Sequence, residues 1–174
     1  MGMEDAVREA AARDVGGRDV AAALNEHRGG WNETMGVTFV TASADEVVAE
    51  LELDRRHQQP YGIVHGGVYA GVIETLASTG AALAAMARGQ AVVGLENHTS
   101  FIRAARGGRV RFTATPITRG RASQVWEGTA RDEEGRVLAT GRVRLLCIAG
   151  GSNLAGEPAP GAPRPAGGGE ADGR

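Results

Sequence analysis

The sequence has one cysteine, few aromatic residues and almost no net charge. Because Cys147 is the single cysteine among 174 residues, no intramolecular disulfide can form, and the chain is long enough to bury a core without one. Aromatic residues make up 4% of the chain, too few for composition to argue for an aromatic stacking site. The formal net charge is −2, so no global positive field attracts nucleic acid, and we expect no nucleic-acid partner.

Features of secretion and of a membrane span are missing as well. The first residues are acidic where a signal peptide is basic, and no apolar run follows them. The longest apolar stretch, residues 66–87, consists mostly of alanine and glycine and carries a carboxylate at its centre. We therefore expect a cytoplasmic protein that does not enter a membrane.

Several catalytic motifs are absent. The sequence has no His-Glu-x-x-His motif, no Gly-x-Ser-x-Gly elbow and no glycine-rich nucleotide fingerprint between a strand and a helix. The four histidines show no metal-ligand spacing; they are His27, His57, His65 and His98. Cys147 fits a small buried apolar residue better than a nucleophile. We therefore predict no metal and no cofactor.

What the sequence does contain is one long helical pattern among strand patterns. Residues 4–28 predict one or two short helices, and residues 67–88 predict a long helix that Gly89 ends. Strands are predicted at residues 35–53 (two strands), 91–102, 109–117, 122–131 and 136–148. Turn signals separate the last three strands, which predicts an antiparallel meander. One long helix against an antiparallel sheet is an α+β arrangement.

Composition divides the chain into three parts. Residues 1–32 are predicted to form an N-terminal helical extension, and residues 33–148 the folded domain. Residues 149–174 are rich in glycine, proline and alanine. Such a segment buries too little apolar surface to order itself, so we predict a disordered tail.

Glu74 is the only charged residue between His65 and Arg88. A helix with water on one side carries several charges, so we expect this helix to be buried on most of its faces and Glu74 to be buried with it. Burying a lone carboxylate is costly, and burial moves a carboxylate toward the protonation range of a general base. The alternative is a structural carboxylate that meets a backbone N–H group or an arginine.

The predicted helix begins at His65-Gly66-Gly67, with no serine, threonine, aspartate or asparagine as its cap. We therefore expect first-turn N–H groups without a side-chain acceptor, which would suit an oxyanion at the positive end of the helix dipole. The alternative is a glycine pair needed only for a tight turn. Gly66 and Glu74 lie about 12 Å apart on one helix. They can act on one bond only if Glu74 comes from a second subunit.

The segment from His57 to Gly67, His-Gln-Gln-Pro-Tyr-Gly-Ile-Val-His-Gly-Gly, followed by Glu74, resembles the hotdog-fold thioesterases. It is most similar to the phenylacetate-pathway and 4-hydroxybenzoyl-CoA thioesterases that use a helix glutamate. Residues 94–103 and 126–136 resemble the same branch. The resemblance covers residues 33–148 and implies an antiparallel sheet wrapped around one central helix. It also implies a homodimer with a continuous sheet, which in many members pairs again into a tetramer.

The resemblance implies hydrolysis of a small or aromatic acyl-CoA to the free acid and CoA, where CoA is part of the substrate and not a cofactor. The Gly66 N–H group would polarise the thioester carbonyl. Glu74 would be the nucleophile or the general base, a choice that the sequence leaves open.

Five further residues receive roles from the resemblance. Gln59 would form hydrogen bonds near the thioester or the water, and His65 would support its loop. Ser78, one helical turn beyond Glu74, would help to hold water. Arg103 and Arg121 match regions that meet the CoA nucleotide.

Two other functions are considered beside hydrolysis. A non-catalytic acyl-CoA-binding or sensing protein of the same fold has no need of a desolvated carboxylate opposite an oxyanion donor. A hotdog hydratase requires a His–Asp pair, and no aspartate occurs between Asp54 and Asp132. Six arginines in the second half of the chain fit either a phosphorylated ligand or a solvated strand face; they are Arg103, Arg106, Arg109, Arg111, Arg119 and Arg121.

Overall fold

A six-stranded antiparallel sheet wraps around one helix of 21 residues, α3 (Gly66–Met86). The computed structural model describes residues 19–159. Two short helices precede the sheet, α1 (Ala21–Glu26) and α2 (Gly30–Met35). The part of the predicted helical region before residue 19 lies outside the described residues.

The strands follow the predicted pattern closely. They are β1 (Thr38–Ala42), β2 (Val47–Leu53), β3 (Gln90–Phe101), β4 (Gly108–Arg119), β5 (Ser123–Arg131) and β6 (Val137–Ala149). Their order in the sheet is β1-β2-β4-β5-β6-β3. The predicted meander β4-β5-β6 is thus confirmed, and so is the α+β class with one central helix. β3 is an edge strand, since it returns to pair only with β6.

Small residues allow α3 to lie close to the sheet. A Cβ atom added to Gly80 would lie 2.3 Å from Cη2 of Trp126, a fully buried residue of β5. One added to Gly128 would lie 2.7 Å from Cγ2 of Ile73. No side chain fits at either position without displacing its neighbour. Glycine at these two contacts therefore sets the distance between helix and sheet.

A buried polar network joins the same two layers. Trp126 donates its Nε1–H to Oε1 of Gln124 (3.1 Å), and Gln124 donates Nε2–H to the backbone oxygen of Ala81 (3.0 Å). Cys147 lies beside Gln124 and is buried, as expected of a small apolar residue. Both polar side chains are fully buried, and these bonds satisfy the groups that burial would otherwise leave unpaired.

One stripe of α3 is not covered by the sheet. Eleven residues of the helix are buried, but Glu74 and Gly67 are exposed, and Gly71 and Ser78 are half-buried. The expectation that α3 is buried on most faces is correct for the sheet side and wrong for this stripe. α3 is long and apolar enough by composition to cross a membrane, yet its burial in the sheet makes it the core helix of the domain.

The residues before β1 pack on the domain and cover the edge of the sheet. Asn25 donates to the backbone oxygen of Phe39 (2.8 Å) and accepts from its N–H group (2.9 Å). The Asp19 carboxylate accepts from the N–H group of Ala42 (2.8 Å). These side chains take the bonds that another strand would make to β1. The predicted boundary between residues 32 and 33 falls inside α2.

The predicted disordered tail is partly structured. Two short strands, β7 (Asn153–Leu154) and β8 (Glu157–Pro158), form a hairpin. Ala159 is buried, and its N–H group donates to the backbone oxygen of Ser152 at 2.6 Å. The prediction of disorder is therefore wrong for residues 149–159, because local backbone hydrogen bonds offset the scarcity of apolar side chains. Residues 160–174 lie outside the described residues.

Candidate functional site

Glu74 lies on the uncovered stripe of α3, beside edge strand β3. Asn97 of β3 donates its Nδ2–H groups to Oε2 of Glu74 (3.2 Å) and to the backbone oxygen of Ala70 (2.9 Å). The hydroxyl of Thr99 donates to Oδ1 of Asn97 (2.7 Å), which fixes the orientation of the amide. A chain of hydrogen bonds from the sheet thus holds the carboxylate.

The burial expected for Glu74 is not found, since the side chain is exposed in the single chain. Sequence alone did not reveal this, because the other residues of the uncovered stripe, Gly67, Gly71 and Ser78, are small and uncharged like many on the buried face. The pairing of β3 with β6 shifts register between Gly94 and Glu96, and Oε1 of Glu74 would lie 3.2 Å from a Cβ atom at Gly94. This β-bulge lies directly beside the carboxylate, in the kind of position that bulges take near active sites.

The start of α3 leaves one free backbone donor. His65 is the cap, because its Nδ1 accepts from the N–H group of Gly67 (2.9 Å). The expectation of an uncapped first turn is therefore wrong, since a histidine supplies the acceptor that serine or aspartate usually supplies. The N–H group of Gly66 has no acceptor within residues 19–159. It remains the expected oxyanion donor.

Gly66 also meets a tight packing requirement. A Cβ atom there would lie 2.5 Å from the ring of Phe101, whose side chain is 59% exposed. The ring of Phe101 stands 6.4 Å from that of Tyr69, measured between centroids. Burial and the charge of Asp132 raise the pKa of Tyr69 to about 12. The Tyr69 phenol therefore stays protonated at neutral pH and cannot serve as a base.

The loop that carries Gln59 is a tight turn. The N–H group of Gly62 donates to the backbone oxygen of Gln59 (2.8 Å), and the N–H group of Tyr61 donates to its side-chain Oε1 (2.6 Å). A backbone N–H group can only donate, so Oε1 faces the turn and Nε2 points away from it. Gln59 thus presents an amide donor, which has no acceptor among the described residues.

His57, which sequence reasoning left without a role, supports this loop. Its side chain is fully buried. Nδ1 accepts from the N–H group of Asp54 (2.9 Å), so the ring hydrogen lies on Nε2, which donates to the backbone oxygen of Met35 (2.9 Å). A hydrogen bond from the Arg56 side chain lowers the pKa of Asp54 to about 2. The only sequence signal for His57 was its place at the start of the motif.

Arg106 supports the loop from the other side. Its guanidinium donates to the backbone oxygens of Tyr61 (3.1 Å) and Gly62 (3.2 Å). The nearer of these partners is 44 residues away along the chain. No local pattern in the sequence predicts such a contact.

The other arginines do not form one basic patch. Arg111 pairs with Glu50 (2.8 Å), Arg109 with Glu52 (3.5 Å) and Arg119 with Asp45 (2.7 Å). These pairs lie at the surface, with only Glu50 half-buried, and they fit the solvated strand face that was the alternative to a ligand site.

Arg103 and Arg121 are exposed, and their guanidinium groups have no partner within residues 19–159. Arg103 follows the end of β3. The backbone oxygen of Arg121, in contrast, accepts a hydrogen bond from the side chain of Gln90, at the start of β3 (3.1 Å). The two ends of this 12-residue strand are about 36 Å apart. One chain therefore cannot bring both arginines to a single nucleotide.

Ser78 lies one turn beyond Glu74, as expected, and is half-buried. Its hydroxyl has no hydrogen-bond partner among the described residues. No group of three or more His, Cys, Asp and Glu side chains within residues 19–159 lies close enough together to hold a metal ion.

Comparison with known proteins agrees with this geometry. The family model described as the thioesterase superfamily matches residues 61–139, a range that includes Gly66, Glu74 and Asn97. The proofreading thioesterase EntH of Cronobacter sakazakii is 39% identical over 116 residues, which make up 67% of this chain and 84% of EntH. This chain belongs to the thioesterase superfamily.

Solved structures similar to this thioesterase share its fold. AziG of S. sahachiroi is 36% identical, with a TM-score of 0.67, over 70% of this chain and 98% of AziG. Thioesterase HI1161 of Haemophilus influenzae is 32% identical, with a TM-score of 0.69, over 74% of this chain and 90% of HI1161. The resemblance to hotdog thioesterases is thus confirmed, and the protein is a thioester hydrolase.

Proposed function

We propose that this thioesterase hydrolyses acyl-CoA at a site shared by two copies of the chain, with Glu74 as the catalytic residue. The observation that carries the proposal is the placement of Glu74. It is an exposed carboxylate, oriented by Asn97, on the uncovered stripe of an otherwise apolar helix. Exposure of such a stripe is costly unless something covers it, and a second chain does so while leaving room for substrate.

Edge strand β3 is the surface where the second copy pairs. The edge of β1 is covered by Asp19 and Asn25, whereas the outer edge of β3 has no partner strand within residues 19–159. A long open edge with exposed apolar side chains such as Leu95 favours strand pairing. Antiparallel pairing of two β3 strands about a two-fold axis continues the sheet across the dimer.

This pairing explains the separation of the two free arginines. A two-fold axis reverses the direction of β3, so the end with Arg103 meets the opposite end of the other strand. Arg103 of one chain and Arg121 of the partner subunit then lie at the same end of the joined sheet. There they bind the phosphates of one CoA nucleotide.

The same symmetry supplies both halves of the chemistry. The Gly66 N–H group and the Gln59 amide of one chain hold the thioester carbonyl, and Glu74 of the other chain faces it. In the general-base route Glu74 takes a proton from water, and the hydroxide adds to the carbonyl carbon. The tetrahedral oxyanion then collapses, the C–S bond breaks, and the CoA thiolate leaves and is protonated. In the nucleophilic route the carboxylate itself adds, the C–S bond breaks and the CoA thiolate leaves and is protonated. Water then hydrolyses the resulting anhydride to the free acid and the Glu74 carboxylate.

The remaining residues position these groups. Ser78 presents a free hydroxyl one turn from Glu74 and holds the attacking water. His65 caps α3 and so keeps the Gly66 N–H group pointed at the carbonyl.

The acyl group is small or aromatic, the dimer pairs again into a tetramer, and the protein works in the cytoplasm with no nucleic-acid or membrane partner. A thioester hydrolase has a use for the oriented carboxylate that an acyl-CoA sensor does not have.

The test replaces the carboxylate without changing its shape. Glu74→Gln should lower kcat for acyl-CoA hydrolysis by roughly 10²- to 10⁴-fold and leave KM nearly unchanged. Glu52→Gln is the matched control, because Glu52 is an exposed carboxylate of β2, outside the proposed seam, and pairs with Arg109 (3.5 Å). Its activity should stay within twofold of that of the wild type, because an exposed ion pair contributes little free energy.

Steady-state kinetics on a panel of acyl-CoAs of different size and aromaticity would measure both variants. Turnover by Glu74→Gln close to that of the wild type would contradict the assignment of Glu74. A wild-type enzyme that hydrolyses none of the acyl-CoAs would contradict the proposed substrate class.

A further inference from the structure

Trp31, in α2, lies against the uncovered stripe of α3. A Cβ atom at Gly71 would lie 2.6 Å from Cζ2 of Trp31, so the indole rests directly on the backbone of α3 at this glycine. The next residue along α2, Asn32, accepts a hydrogen bond from the hydroxyl of Thr75 (3.2 Å). Two contacts one helical turn apart thus fix α2 along α3.

The position of Gly71 on α3 brings the indole beside Glu74. With 3.6 residues per turn, Gly71, Glu74 and Ser78 lie within about 60° of one another around the helix axis. Residues three apart on a helix have Cβ positions about 5–6 Å apart. β3 meets the helix at Ala70 and Glu74, through Asn97, whereas α2 meets it at Gly71 and Thr75, through Trp31 and Asn32. In helical projection these two pairs of contacts lie on opposite sides of the stripe. We call the surface of α3 between the indole and β3 the groove.

Trp31 is not a core residue. Its side chain is 40% exposed, whereas the only other tryptophan of the chain, Trp126, is fully buried. An indole that is fixed on one face and open on the other is suited to stack on a flat ligand. Aromatic content did not predict this feature, because a composition says nothing about where a single indole lies, and one indole is enough to stack on a ligand.

We propose that Trp31 forms one wall of the acyl-binding pocket and selects acyl-CoAs whose acyl group is a flat aromatic ring. The inference rests on the proposed role of Glu74, since it takes the groove beside that carboxylate as the place of the acyl group. It gives the N-terminal segment a role in specificity. The indole and Glu74 that share a pocket come from the same chain.

The experiment compares two substrates with the same number of acyl carbons, benzoyl-CoA and cyclohexanecarbonyl-CoA. They differ in that only the benzoyl ring is flat and aromatic. The ratio of their kcat/KM values in the full-length enzyme measures the preference. Trp31→Leu, which keeps apolar bulk, should lower this ratio about three- to tenfold, and Trp31→Phe should largely restore it.

Gly71→Ala provides a second variant that leaves the indole intact. The added methyl group must displace Trp31, and alanine favours a helix more than glycine does, so α3 itself is not weakened. This variant should also lower the ratio. Val40→Ala is the control, because Val40 is as exposed as Trp31, at 39% and 40%, but lies in β1 at the far edge of the sheet. Its ratio should equal that of the wild type.

A binding measurement does not depend on turnover. In Glu74→Gln, benzoyl-CoA should change the tryptophan fluorescence, and the further change Trp31→Phe should remove this response, because Trp126 is buried.

The inference is overturned if the substrate ratio is the same in Trp31→Leu and the wild type, if Val40→Ala lowers it equally, or if the fluorescence response survives without Trp31. In these cases hydrolysis by the wild type still stands. A wild type that hydrolyses other acyl-CoAs of the panel but neither of these two overturns this inference alone, whereas one that hydrolyses none of the panel overturns the proposed function as well.

Discussion

At the scale of single residues, sequence predicted Glu74 as the catalytic residue but did not predict Asn97, which donates a hydrogen bond to it. Glu74 stands out because it is the only charge on a long apolar helix. Asn97 lies 23 residues further along the chain, in a strand where an asparagine has no distinctive pattern. Its role depends on the approach of β3 to α3, which is a tertiary contact. The cap of α3 was missed for a similar reason, since histidine is not among the usual capping residues.

Replacement of Asn97 tests whether it positions Glu74. Asn97→Ala removes the donors to Glu74 and Ala70, and it should lower kcat about 10- to 100-fold with little change in KM. Asn97→Asp places a second carboxylate beside Glu74, which favours protonation of the pair. The acidic limb of its pH–rate profile should therefore move to higher pH.

Asn153→Ala is the control for this pair of variants. It also removes an asparagine amide, but one whose Oδ1 accepts a hydrogen bond from the Gly156 N–H group within the β7–β8 hairpin (2.9 Å). Rates and pH profiles of all three variants give the answer. Equal losses in Asn97→Ala and Asn153→Ala, or an unshifted profile in Asn97→Asp, would show that Asn97 does not act on Glu74.

At the scale of elements, the sequence predicted nearly every strand and the long helix, because each has a clear period and a turn signal at its ends. The small residues of α3 also predicted a close approach of helix and sheet. What they did not predict was which face the sheet covers. Gly80 and Gly71 look alike in sequence, yet one meets buried Trp126 and the other meets half-exposed Trp31. The hydrogen-bonded hairpin of residues 149–159 was missed because composition carries no information on backbone pairing.

The difference between these two glycines has a measurable consequence for stability. Gly80→Ala should lower the free energy of unfolding by about 1–3 kcal/mol, because the new methyl group overpacks a fully buried indole. Gly71→Ala makes the same change in the same helix, but Trp31 can move toward solvent. Its unfolding free energy should stay within about 1 kcal/mol of the wild type. Urea denaturation compares them, and equal effects would show that the Gly80 contact does not limit the packing of α3.

At the scale of the whole molecule, the proposed site is shared between two chains. α3 is continuous from Gly66 to Met86, so the separation of about 12 Å between Gly66 and Glu74 follows from helix geometry. Sequence could supply this distance, because a helix prediction fixes it. It could not supply the surface proposed for the partner, because the open edge of β3 depends on the order of strands in the sheet.

Mixing two inactive variants tests the shared site. Gly66→Val blocks the oxyanion donor, since a side chain there meets the ring of Phe101, and Glu74→Gln removes the carboxylate. In a mixed dimer one site carries both changes and the other carries neither. Random exchange makes about half of the dimers mixed, so about a quarter of wild-type activity should return. Each variant mixed with itself is the control. Background activity after exchange has been demonstrated by mass spectrometry would mean that the two groups do not act in trans.

The cover that Asp19 and Asn25 place over β1 determines how far self-association can proceed. These side chains occupy backbone groups of Phe39 and Ala42, so within residues 19–159 the main sheet has one open edge, that of β3. Units with a single bonding edge form a closed pair and stop, whereas units with two edges add to one another without limit. In the proposed dimer, Asp19 and Asn25 would therefore limit strand pairing to one closed pair, and the open edge of β3 could lie beside Glu74 without leading to fibres.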